Sequence, residues 1–102
     1  MRELHHPTRE GINLHSVLYA LSDPTRLDLV RQVAAVPELA VKECDSTVSK
    51  STLSHHFAAL RESGVTRTRI KGTQRFVSLR REDLDARFPG LLDSLLGVVK
   101  PI

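Results

Sequence analysis

At Gly64 the chain changes the period of its apolar residues, and that change dictates most of what it can fold into. Before it, Leu53, Phe57 and Leu60 recur at i, i+4 and i+7. That spacing lines one face of a helix over about Lys50 to Ser63. Ser49 or Ser51 suits the helix start, and Gly64 suits the left-handed position just past its end. After it, Val65 to Ile70 and Thr73 to Leu79 are rich in Thr, Val, Ile and Phe. These residues pack well on a half-buried strand. Lys71-Gly72 between the two runs offers a positive φ, so the pair predicts a β-hairpin.

Upstream, Leu14, Val17, Leu18 and Leu21 repeat at helical spacing and predict a first helix over about Asn13 to Leu21. Asp23 caps and Pro24 opens a second helix, which carries Leu27, Val30, Val33 and Ala34 inward and ends before Pro37. A weakly periodic third helix is expected over about Leu39 to Asp45, with Ser46-Thr47-Val48-Ser49 as the turn that follows. Beyond the hairpin, helix resumes near Arg81, and Leu84, Phe88, Leu91, Leu92, Leu95 and Leu96 form an apolar stripe broken at Pro89-Gly90. Four helices, a two-stranded hairpin and a closing helix make a mainly α (α+β) winged helix-turn-helix. In that fold the helix before the wing enters a DNA major groove. Residues 1–11, interrupted by Pro7 and Gly11, read as an N-terminal arm, and residues 12–99 as one domain. A chain of 102 residues has a thin core, which a partner subunit would extend.

Charge is unevenly placed. From Ser49 to Arg81 there are eight basic residues against one acid, Glu62, so this third carries +7 in a chain of net +3 and the rest carries −4. Such asymmetry points to a polyanion such as nucleic acid, or else to a solvated basic face. Only Tyr19, Phe57, Phe76 and Phe88 are aromatic, too few for a platform that stacks single-stranded bases. No apolar run approaches a membrane span, so no membrane partner is expected. Met1 to Pro7 is polar and lacks the apolar stretch of a secretory signal, and Cys44 is the only cysteine. Both features suit a cytoplasmic protein. No nucleophile elbow, phosphate loop or metal-hydrolase motif is present. The carboxylates of Asp83 and Asp85 are expected to face solvent or cap the last helix, so an enzyme is not expected.

Three segments in order resemble the ArsR/SmtB family of winged-helix transcriptional repressors: Ala20-Leu21-Ser22-Asp23-Pro24-Thr25-Arg26-Leu27, Ser51-Thr52-Leu53-Ser54-His55-His56-Phe57, and Leu60-Arg61-Glu62-Ser63-Gly64-Val65. The wing and Val77-Ser78-Leu79 follow at the family's usual distance, so the likeness spans about residues 13–96. The resemblance implies a homodimer built from the first and last helices, here through Leu14, Val17, Leu18, Phe88, Leu91, Leu92, Leu95 and Leu96. It also implies repression of an operon, relieved when an inducer binds.

On a helical wheel the recognition helix turns Ser51 and His55 outward, with Thr52 and Ser54 on the flanks and Lys50 at the start. Lys50, Ser51, Thr52, Ser54 and His55 are therefore the expected readers of base edges and phosphates. His56, between the two faces, is expected to pack or bond locally. In the wing, Arg67 and Arg69 share one strand face, Lys71 marks the tip, and Gln74 and Arg75 follow. These residues suit phosphate or minor-groove contact, or alternatively guard a strand edge against aggregation. About five basic contacts per subunit would give log K against log salt a slope near −9 for a dimer. Two recognition helices one DNA turn apart call for an imperfect inverted-repeat duplex.

The family's metal ligands are missing. Ala40 and Lys42 stand where its arsenic sensors carry thiolates, and the last helix has Asp83, Asp85 and Asp93 nearby but no histidine. No cofactor is expected. A non-standard zinc site would have to draw on His5, His6, His15 and Cys44. Cys44 has two open roles, a redox switch or an inert buried thiol. The rival to a DNA-binding repressor is a winged-helix module that docks another protein.

Overall fold

The structure is a computed structural model that describes residues 4–98. Helix α1 spans Leu14–Leu21 and α2 spans Pro24–Ala34. Strand β1 covers Leu39–Ala40 and runs into a 3₁₀ turn over Val41–Glu43. Helix α3 is Lys50–Glu62, strands β2 and β3 are Thr66–Lys71 and Gln74–Leu79, and α4 (Arg81–Arg87) and α5 (Leu91–Val98) close the chain. The three strands form an antiparallel sheet in the order β1-β3-β2. The fold is thus an α+β winged helix-turn-helix, with β2 and β3 as the wing.

Helices α1, α2 and α3 each start where the sequence supplies a side-chain acceptor. Asn13, Asp23 and Ser49 accept the N–H groups of Ser16, Arg26 and Thr52, which satisfies donors the helix cannot reach. Helix α3 ends in a Schellman turn: Val65 N–H reaches the Leu60 carbonyl at 3.0 Å and Gly64 N–H that of Arg61 at 3.1 Å. Gly64 takes φ of 89° there. The core is continuous, with Ile12, Val17, Leu29, Val30, Val33, Leu60, Val65, Val77, Leu84 and Leu92 sealed from solvent. No helix among the described residues is long and apolar enough to cross a membrane.

Four expectations need correction. The third helix does not form, because Leu39 and Ala40 pair with Val77 and Phe76 and widen the wing into a three-stranded sheet. Gln32 then fixes the chain beyond it: its amide donates to the Asp45 carbonyl at 2.7 Å and accepts the Asp45 N–H at 2.9 Å. The hairpin link is Gly72-Thr73, one residue later than expected, since Lys71 is paired with Gln74. Gly72 at the first turn position, with φ of 62°, meets the requirement of a type II′ turn. In α2 the sealed residues are Leu29, Val30 and Val33, while Leu27 and Ala34 are only half-buried. Finally, α1 buries Val17, Ala20 and Leu21, whereas Leu14 and Leu18 point outward.

Residues 4–13 have neither helix nor strand, as an arm would, but they are held by side-chain bonds. His6 Nε2 accepts the Thr68 N–H at 3.0 Å, Arg80 donates to the Pro7 carbonyl at 2.7 Å, Arg9 bonds Asp83 at 2.7 Å, and Arg87 donates to the Ile12 carbonyl at 2.7 Å. His6 thereby satisfies one backbone N–H of the edge strand β2.

Candidate nucleic-acid interface

The outward face of α3 is built as its wheel predicts. Lys50, Ser51, Thr52, Ser54 and His55 are all exposed, and Phe57 and Leu60 are buried behind them. The first turn is a cluster of hydroxyls. Ser49 Oγ donates to Thr52 Oγ1 at 3.0 Å and lies 3.3 Å from Ser51 Oγ. These groups sit at the positive end of the helix dipole beside the Lys50 ammonium, where anionic oxygens are favoured.

The Asp-Pro-Thr-Arg run before them has a different task. Arg26 donates to the Ala20 carbonyl at 2.6 Å and reaches the His56 Nδ1 at 3.2 Å. It therefore ties the end of α1 and the start of α2 to α3. His56 is half-buried and bonded within the chain, as expected for a residue between the two faces. The motif thus fixes the angle at which the recognition helix is presented.

The wing supplies cations, but several are already engaged. Arg67 and Arg69 lie on the exposed face of β2, while Thr66 and Thr68 point into the core. Arg69 grips Glu38 with two bonds, of 2.7 and 3.1 Å, and its guanidinium lies over the Phe76 ring. The Arg69 bond holds the Glu38 carboxyl below its usual pKa. Arg67 stands 3.8 Å from Asp83. The same carboxylate takes Arg9 at 2.7 Å and the nearly buried Arg80 at 2.9 Å. Its bond to Arg9, helped by Arg80, keeps the Asp83 pKa low. Arg81 pairs with Asp93 at 3.0 Å and Asp85 at 3.6 Å, and the largely buried Arg61 lies 3.7 Å from Glu62. Among the described residues, the cations of the basic third without an ion pair are Lys50, Lys71 and Arg75, all exposed.

A half-open cleft of about 570 Å³ brings the two halves of this surface together. Lys50 and Ser54 from α3 form one wall, and Gln74 and Arg75 from the wing form the other. A helix of hydroxyl, imidazole and ammonium groups beside a basic hairpin is a surface shaped for a nucleic-acid groove.

The comparisons agree with this geometry. A family model described as a helix-turn-helix domain matches residues 21–69. The uncharacterized HTH-type transcriptional regulator YceK of Bacillus subtilis (strain 168) is 37% identical over 82 residues, 78% of this chain and 82% of that protein. The chain belongs to the helix-turn-helix transcriptional regulators, with an ArsR-like winged-helix fold. A crystal structure of an ArsR family transcriptional regulator superposes with a TM-score of 0.68 at 22% identity, over 86% of this chain and 98% of that one. An ArsR-like transcriptional regulator from Rhodococcus sp. RHA1 gives 0.62 at 19% identity, over 87% and 94%. The regulator is accordingly a DNA-binding protein and not an enzyme.

The remaining candidate residues are dispersed. Of those expected at a dimer interface, Val17 and Leu92 lie instead in the chain's own core. Leu14 and Leu18 are outward, and Phe88, Leu91, Leu95 and Leu96 are half-buried against the core. Tyr19, 73% exposed on the same helix as Leu18, was not singled out by periodicity because a lone aromatic breaks no pattern. His6 is held at β2, and the Cys44 thiol donates to Gln32 Oε1 at 3.5 Å, so the arm does not carry His6 to Cys44. No three of His, Cys, Asp and Glu converge among the described residues. Burial pushes the Cys44 thiol pKa up, with Asp28 and Asp45 adding to the effect. A protonated thiol is the poorer nucleophile, which suits the inert-thiol role of Cys44.

Proposed function

We propose that the regulator is a cytoplasmic homodimeric repressor that reads an imperfect inverted repeat. Lys50, Ser51, Thr52, Ser54 and His55 enter the major groove. Lys71, Gln74 and Arg75 hold the flanking phosphates, with Arg67 and Arg69 beside them. The observation that carries this reading is the shared cleft, in which Lys50 at the start of α3 and Arg75 of the wing, neither ion-paired among the described residues, stand on its two sides. Leu14, Leu18 and Tyr19, exposed together on α1, support pairing with a second copy across α5.

Anisotropy of labelled duplex from upstream of the protein's own gene tests the reading. The native repeat should bind far more tightly than a single half-site or a scrambled duplex. Alanine at both Ser51 and His55 should weaken that binding at least about tenfold, since a base contact is worth ~1–3 kcal/mol. Undiminished affinity would remove these residues from the interface, and equal binding of repeat and half-site would remove the dimer.

A further inference from the structure

The cleft between α3 and the wing is more than a basic surface. Its floor is apolar, made by the half-buried side chains of Val41, Val48 and Leu53. Its rim carries Lys42, Lys50 and Arg75, three exposed cations without an ion pair among the described residues. No carboxylate lines it. On the DNA reading a phosphate backbone would use Lys50 and Arg75 and leave Lys42 and the apolar floor idle. A volume of about 570 Å³ with an apolar floor and a few convergent polar groups is that of a small-molecule site.

We propose that this cleft binds a small organic anion with an apolar body, such as an aryl or alkyl carboxylate, and that the bound anion excludes DNA. The body covers Val41, Val48 and Leu53, and the carboxylate meets Lys42, Lys50 and Arg75. Seated there, it neutralises Lys50 and Arg75 and blocks the approach of a phosphate to Ser54 and Gln74. Ligand and DNA then compete for the same cations, so each weakens the other by the same factor. The competition rests on the DNA-binding reading above, whereas the ligand site itself does not.

The test titrates ¹⁵N-labelled full-length protein with 4-phenylbutyrate, octanoate, 4-phenylbutyramide and 4-phenylbutylamine, followed by NMR. The two carboxylates should shift the amide signals of Val41, Val48, Leu53 and Arg75. The neutral amide and the amine should bind at least about tenfold more weakly, the weight of a charge-assisted contact. Lys42→Gln should weaken 4-phenylbutyrate about fivefold while leaving duplex affinity unchanged in its absence, because Lys42 stands outside the proposed reading set. Saturating 4-phenylbutyrate should displace labelled duplex. The proposal is overturned if neither carboxylate binds, if amide and carboxylate bind alike, if the shifts map elsewhere, or if the bound carboxylate leaves the duplex in place. Carboxylate binding in the cleft by a protein that binds no duplex would refute the DNA reading and leave the ligand site standing.

Discussion

Two side chains show how much a residue's partner matters to its role. Arg69 reads in the sequence as a phosphate contact, yet Glu38, thirty-one positions away, holds it by two bonds. No periodicity signals that pairing, because it depends on β1 forming beside β3. On the proposed reading, in which Arg69 stands beside the phosphates, the Glu38 carboxylate competes with DNA for it. Glu38→Gln should free Arg69, raise duplex affinity a few-fold at low salt, and steepen the salt dependence by up to about two units for a dimer. An unchanged slope in anisotropy titrations would show that Arg69 does not reach phosphate even when released. His6 reads in the sequence as an arm histidine and a candidate zinc ligand, whereas its bond to Thr68 N–H requires an unprotonated Nε2. Burial lowers its pKa below 6.5, and Arg67, Arg61 and Arg80 add to the shift. The unfolded chain then binds more protons than the folded one in the window below pH 6.5. Stability falls as pH drops through that window and is fully present above it. Urea midpoints between pH 7.5 and 5.5 should decline in the native protein and flatten in His6→Gln.

At the scale of elements, the sequence carries local signals plainly and long-range pairing hardly at all. The caps at Asp23 and Ser49, the recognition helix and the hairpin all follow from residues within a few positions of each other. Leu39 to Asp45 reads as helix in the sequence because the partner of Leu39 and Ala40, β3, lies almost forty residues on, and two-residue strands have no period to detect. Gly64 combines both kinds of constraint. Its φ of 89° is fixed locally by the Schellman turn, but its missing Cβ also makes room for the arm: a Cβ there would lie 2.6 Å from Ile12 Cγ1. Gly72 has a similar φ of 62° with nothing within 4 Å. Gly72→Ala should cost only the backbone term, roughly 1–2 kcal/mol. Gly64→Ala should cost at least about 2 kcal/mol more, as overpacking against a sealed Ile12 is added. Equal urea midpoints for the two variants would mean that the arm yields freely and is not part of the core.

For the whole molecule, the surplus of positive charge is a less direct guide to DNA binding than its size suggests. The basic third counts +7 in the sequence, and five phosphate contacts per subunit follow naturally from it. Folding commits Arg61, Arg67, Arg69, Arg80 and Arg81 to carboxylates, several of them drawn from the acidic remainder of the chain. Glu38, Asp83, Asp85 and Asp93 are thus the reason the two charge blocks exist together: one builds the scaffold with the other. Of the basic third, what remains without an ion pair among the described residues is Lys50, Lys71 and Arg75. Three contacts per subunit, doubled by symmetry, give log K against log salt a slope near about −5, not the −9 of the sequence count. Anisotropy between 50 and 300 mM salt separates the two values. A slope near −9 would mean that the internal ion pairs open on DNA, and that the arm and wing rearrange around Asp83 when the duplex arrives.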